Sequence, residues 1–434
     1  MTHPVTPNDT GPIRPRERDA LVASMRAGMV PRIGQRHIQV GRAAEVQAAI
    51  QDVDRITAGG AGCRFVIGEY GSGKTFFLHL VRSIALEKRL VTVHADLSPD
   101  RRLHAASGQA RGLYAELMGN LATRARPDGG ALASVVERFV TGALGEASAT
   151  GTDPAEQIRS RLASLTELTG GYDFAAVVGA YWHGYDSGDE RLRSDAVRWL
   201  RGEFTSRLDA RAALGVRTIV DDATFYDHLK LMARFVRLAG FAGLLVCLDE
   251  MVNLYKITNA SARNANYEQV LRIVNDTTQG NAEHLGFLFG GTPEFLLDPR
   301  RGLFSYPALA SRLAPNRFAA AGRVDHSGPV LRLGSLTPED VFVLLTKLRH
   351  VYAGGDPARY LVPDEALTAY MTHCAARIGD AYFRTPRETI RGFLDLLAML
   401  EQHADLQWPA LIGSAGGTAT PVASDDDELT SFQL

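Results

Sequence analysis

The feature that most constrains this chain is FVIGEYGSGKTFFLHL, residues 65–80. An apolar run reads as a strand, a glycine-spaced turn closes on a lysine and a threonine, and a second apolar run has helical spacing. Gly68, Gly73, Lys74 and Thr75 fit GxxxxGK[ST], with a strand expected over 64–67 before it and a helix over 76–86 after it. Glycines let backbone amides turn toward a polyphosphate without a Cβ clash. The helix that follows presents its free N–H groups and positive dipole end to the same anion. The candidate nucleotide-binding residues are therefore Gly68, Glu69, Tyr70, Gly71, Ser72, Gly73, Lys74, Thr75 and Phe76. Lys74 would reach the β- and γ-phosphates of ATP, and the Thr75 hydroxyl would hold Mg²⁺. Only five of the 47 basic residues are lysines, which makes a chance lysine at this position less expected. Glu69 and Tyr70 should face away from the phosphates, and loop chemistry alone does not explain why one is acidic and the other aromatic.

Five short apolar, β-prone runs cover residues 64–68, 90–95, 243–248, 285–290 and 329–333, with helical patterns between them. Phe225, Leu229, Met232 and Val236, for example, fall on one helix face. Strands alternating with helices predict an α/β fold: a five-stranded, mostly parallel sheet between helices. About 145 residues separate the second and third runs, too many for one crossover helix. They predict a large helical insertion over about 121–220, with mixed charge and no motif, packing on the core or docking a partner.

Residues 1–17 read as a disordered arm and 18–30 as a helix, so 1–39 stand apart from an α/β core over 40–334. The pattern turns all-helical over 335–408. Thr337 is placed as an N-cap, Pro338 at the first helical position and Asp340 as a capping carboxylate, with Val341, Leu344, Leu345, Leu348 and Tyr352 as the buried stripe. Thr385, Pro386 and Glu388 repeat that grammar as a capping box. Residues 409–434 read as a disordered acidic tail.

Composition narrows the functions. A net charge of −2 and 45% hydrophobic content give no overall basic field for nucleic acid or an anionic membrane. Cys63, Cys247 and Cys374 lack metal-ligand spacing and read as buried thiols of a reducing cytoplasm. No apolar stretch reaches the roughly 18 residues of a membrane span.

A phosphate loop alone does not hydrolyse. GLLVCLDE, residues 243–250, ends a strand in an Asp-Glu pair: Asp249 would bind Mg²⁺ through water, and Glu250 would polarise the attacking water as general base. Thr292, closing the next strand, is placed beside the γ-phosphate. Arg312, or else Arg317, could reach a neighbouring subunit's γ-phosphate, and Arg387 could report nucleotide state from a lid helix. No NKxD base reader, HExxH or GxSxG elbow supports a GTPase, metalloprotease or hydrolase-triad reading.

These motifs together resemble the AAA+ ATPases, in particular the initiator-like branch with origin-recognition and transposition-regulator ATPases. Gly41, Arg42 and Glu45 match that branch's GRxxE element, which the resemblance places near the adenine. The wording VGRAAEV, GEYGSGKTFFL, LVCLDEMVNLYK, GGTPEFL and TPRETIRGF looks like the ATP-binding proteins of BREX-type bacterial antiphage loci. The resemblance implies an AAA+ core with a C-terminal helical lid, ATP and Mg²⁺, and a homo-oligomer or hetero-oligomer with defence proteins such as a helicase. Relatives that read DNA carry a winged helix after the lid. Some 30 residues follow Ala404, short of that domain, so nucleic-acid contact is expected to be indirect or non-specific. The rival class is a nucleotide-gated assembly scaffold with little turnover, and a transposition- or replication-initiator ATPase is a further alternative.

Overall fold

All five apolar runs form strands, and the two central ones, Leu244–Asp249 and Leu285–Gly291, are buried at every position. The structure, a computed structural model, describes residues 12–319, 324–378 and 386–414. In chain order its first elements are α1 (Pro15–Arg26), α2 (Ala43–Thr57), β1 (Ala61–Ile67), α3 (Lys74–Glu87), β2 (Val91–Asp96) and α4 (Gln109–Gly119). There follow α5 (Leu132–Thr150), α6 (Pro154–Leu162), α7 (Gly171–Ser187), α8 (Glu190–Leu200), α9 (Arg207–Leu214) and α10 (Phe225–Leu238). Next come β3 (Leu244–Asp249), α11 (Val252–Tyr255), α12 (Ala260–Gln279), β4 (Leu285–Gly291), α13 (Pro293–Leu297), α14 (Pro307–Arg312) and β5 (Val330–Arg332). The last are α15 (Pro338–Tyr352), α16 (Asp364–Ile378), α17 (Pro386–Gln402) and α18 (Trp408–Ser414).

The chain divides into two compact units: Arg42–Gly334, and the segments Met1–Gly41 and Ser335–Leu434 taken together. In the first, the strand order is β2-β3-β4-β1-β5, and every pairing is parallel. Alternate residues enter opposite layers. Val66, Leu245, Cys247 and Leu288 meet Ala49, Val53 and Ile56 of α2 and Phe77, Leu78 and Val81 of α3. Phe65, Val246, Leu248, Phe287 and Phe289 face the other way. That second layer is one continuous core running from the sheet through α4 and α10 into α5 to α8. Residues 121–220, expected as a helical insertion, carry α5 to α9. Phe174 of α7 packs on Trp199 of α8 and on Phe235 of α10, with centroids 6.2 and 5.5 Å apart.

An ion pair ties α2 to β1. Asp52 accepts from Arg64 Nε at 2.7 Å and from Arg64 NH2 at 2.8 Å, and the remaining Arg64 nitrogen donates to His326 O at 2.8 Å and to Gly328 O. Both side chains are buried, so this charge is satisfied by two forked bonds as a buried guanidinium requires.

The second unit is helical. Thr337 accepts from Asp340 N–H, and the Asp340 carboxylate accepts from Thr337 N–H, both at 3.1 Å, closing a capping box. Val341, Leu344, Leu345, Leu348 and Tyr352 form the buried stripe of α15. The N-terminal segment departs from its expected separateness. Ile13 is buried, its N–H reaches Gly354 O at 3.2 Å, and Pro15 starts α1 three residues early; α1 then packs in the same unit as α15 and α17. Residues 409–414, expected as part of the acidic tail, lie in α18, where Trp408, Leu411 and Ile412 are half-buried. Thr385, placed in a capping box, lies outside the described residues.

Candidate nucleotide site

The loop between β1 and α3 is built for an anion. Gly73 caps α3 with a left-handed backbone, φ +82°, and no side chain caps the helix, so the first-turn N–H groups face the loop's mouth. Gly68 has no room for a side chain: a Cβ there would stand 2.4 Å from Ser72 Oγ and 2.9 Å from Leu333 O. The Ser72 hydroxyl is buried without a protein partner. A buried unpaired hydroxyl beside uncapped amides fits a polyphosphate.

Lys74 points its ammonium back over this loop, donating to Gly68 O at 2.8 Å and Glu69 O at 2.9 Å. The Tyr70 ring lies 5.4 Å from it, a cation–π contact that gives the aromatic letter a role. Burial pulls the Lys74 amine below the ordinary lysine range, opposed by Asp249, Glu250, Glu69 and Glu294. Phe76 is half-buried in the first turn of α3.

The two halves of the site meet at Thr75, whose hydroxyl donates to Asp249 Oδ2 at 2.7 Å. Asp249 Oδ1 in turn accepts from Glu250 N–H at 2.9 Å. A hydroxyl and a carboxylate offer the hard oxygen donors that magnesium takes, alongside waters and phosphate oxygens. Among the described residues no group of three His, Cys, Asp or Glu is placed to hold a metal ion.

Glu250 adopts a left-handed backbone, φ +56°, costly for a residue with a Cβ. Met251 N–H, bonded to Gly290 O at 2.9 Å, fixes the turn that follows. Loss of hydration pushes the Glu250 carboxyl above the ordinary glutamate range, and Asp249 and Asp96 add to this, against Lys74 and Lys256. Asp96 escapes the sequence reading. Register pairs it with Asp249 across β2 and β3, and burial first, then Asp249, raise its own carboxyl. The signal was VTVHAD, a second apolar strand closed by an acid in the grammar of LLVCLDE.

Gly290 also escapes it. A Cβ at this position would stand 2.1 Å from Asp249 Oδ1 and 2.9 Å from Leu78 Cδ1, so Asp249 reaches Thr75 only over a bare strand. Gly290→Ala is expected to displace Asp249 at an overpacking cost of about 1–3 kcal/mol. ATP titrations with magnesium and with EDTA should show greater weakening in the magnesium arm; equal weakening would count against this role.

The remaining candidates are dispersed. Thr292 is 2% exposed at the end of β4, and its hydroxyl caps α13 by accepting from Phe295 N–H at 3.4 Å. Its oxygen is already used as an acceptor, leaving the O–H to donate. The sequence signal for that cap was TPE, the same grammar as TPED over 337–340. Exposed Arg312 donates to Asn275 Oδ1 at 2.6 Å and Ala308 O at 3.0 Å, and Arg317 is exposed just beyond it. Arg42 donates to Ser72 O of the loop and to Gly334 O at 3.1 Å. Gly41 and Arg387 belong to the other unit, where the Arg387 Cδ lies 3.1 Å from where a Cβ of Gly28 would be. No helix of the described residues is long and apolar enough to cross a membrane.

No curated protein matches the chain. A family model described as BREX system ATP-binding protein BrxC/D matches residues 13–415, nearly the whole chain. The chain therefore belongs to the BREX system ATP-binding protein BrxC/D family.

Proposed function

We propose that this ATP-binding protein is a magnesium-dependent AAA+ ATPase, serving as an auxiliary engine of a BREX antiphage system. The observation that carries the reading is the 2.7 Å bond from Thr75 to Asp249, which unites the phosphate loop with the strand end that presents Glu250. The strand order supports it too, since β4 lies between the loop strand β1 and the acidic strand β3. Thr75 and Asp249 would hold the ion, which when bound neutralises phosphate charge. Lys74 would bind the β- and γ-phosphates, and Glu250 would take the proton of the attacking water. Thr292 would donate its O–H toward the γ-phosphate side. Arg312 or Arg317 would act on an adjacent subunit, Arg387 would report nucleotide state from a C-terminal lid, and assembly with copies or with a helicase would complete the site. The reading also places the protein in the cytoplasm.

Purified protein is expected to bind ATP–Mg²⁺ and release phosphate slowly, faster with nucleic acid or a partner present, and not at all after EDTA. Phosphate release that EDTA leaves unchanged would overturn the magnesium assignment. A second reading, a nucleotide-gated scaffold with little turnover, is favoured by one observation: Arg312 is held by Asn275 and Ala308 of its own chain. It predicts ATP binding with no stimulated phosphate release.

A further inference from the structure

We propose that Arg42 is a positioning residue that clamps the phosphate loop to the two ends of its own compact unit, and is not a contact for the nucleotide base. This rests on the reading of residues 68–76 as the nucleotide-binding loop. Arg42 is the first residue of the Arg42–Gly334 unit, and Gly334 is its last. The Arg42 guanidinium donates to the carbonyl of Gly334 at 3.1 Å and to the carbonyl of Ser72. One side chain therefore joins both ends of the unit to the middle of the loop.

Three further features make this a clamp. The guanidinium lies 3.4 Å from where a Cβ of Gly73 would be, so it covers the residue that caps α3. Leu333, next to Gly334, donates its N–H to Ile67 O at 2.7 Å, and its carbonyl closes the space over Gly68. The Arg42 backbone is left-handed, at φ +58°, which is costly for a residue with a Cβ. One guanidinium nitrogen, NH2, donates to both carbonyls, so a single donor group ties Ser72 of the loop to Gly334. The loop's shape and the backbone at Arg42 and Gly334 are then set together, so a ligand that reshapes the loop is felt at both ends of this unit.

A base contact and a clamp differ in what they recognise. Arg42→Ala is expected to weaken ATP–Mg²⁺, GTP–Mg²⁺ and magnesium tripolyphosphate by the same factor, about tenfold or more, as loss of charge-assisted hydrogen bonds predicts. Competition against a fluorescent ATP analogue measures all three. Arg42→Lys, able to reach one carbonyl, should show an intermediate loss with the same independence of the base, and carries the test if the alanine variant does not fold. Hydrogen exchange around 334–335 should slow on ATP addition in the wild type, and not in Arg42→Ala at saturating ATP. A loss confined to ATP, an unchanged affinity, or an exchange response that survives in Arg42→Ala would each overturn the clamp. Wild-type protein that binds none of the three ligands would instead overturn the nucleotide reading, and the clamp with it.

Discussion

Lys74→Ala is expected to remove measurable ATP binding while leaving the fold intact. In the structure the ammonium is shared by Gly68 O and Glu69 O and flanked by the Tyr70 ring, which keeps it over the loop. Contacts from an ammonium to phosphate oxygens are each worth about 1.5–3 kcal/mol. Two of them correspond to a loss on the order of 10²-fold or more in affinity. Isothermal titration with ATP–Mg²⁺ reads this directly, and the melting temperature of the nucleotide-free protein should change little. Retained affinity would mean that the loop's amides alone carry the phosphates.

Glu250→Gln should separate binding from turnover. Glutamine keeps the size of the side chain and removes both its proton-accepting charge and its repulsion with Asp249 and Asp96. ATP should bind at least as well, and turnover should fall by about 10²–10⁴-fold, the usual contribution of a positioned general base. Equal turnover by the two proteins would remove Glu250 from the reaction. The wild-type pH profile offers a linked check. A base must be unprotonated to accept a proton, and the Glu250 carboxyl sits above the ordinary glutamate range. Activity should therefore be lost on acidification at a higher pH than an unperturbed glutamate would give. Replacing Asp96 with Asn removes one of the raising charges and should move that acid limb to lower pH.

The sheet and the strand–loop–helix of residues 61–87 were legible because their signals are local. A strand buried on both faces must be apolar at consecutive positions, as Leu244–Asp249 and Leu285–Gly291 are up to their ends. Loop, glycine spacing and helix start also lie within one short stretch. The capping box at Thr337 and Asp340 is local in the same way. What escaped depends on which strands become neighbours. Asp96 gains its meaning only when β2 pairs with β3, and Gly290 only when Asp249 leans across β4. Nothing nearby in sequence announces Ser72 or Gly334 as partners of Arg42. Thr292 has two readings in one residue, a strand end and a helix cap, and the cap is the one its contacts display.

The single apolar layer shared by the sheet and α5 to α8 bears on how a protein of this kind can diversify. Segments that fold independently can be exchanged whole between relatives, because their removal leaves the host's interior closed. Here the inner side of the helical segment is also the wall of the sheet, so Phe139, Phe174 and Trp199 cannot vary without regard to the layer beneath them. Change is confined to the outward faces of those helices. A new binding specificity can be written there one surface residue at a time, while the interior behind it stays in step with the nucleotide site's own scaffold.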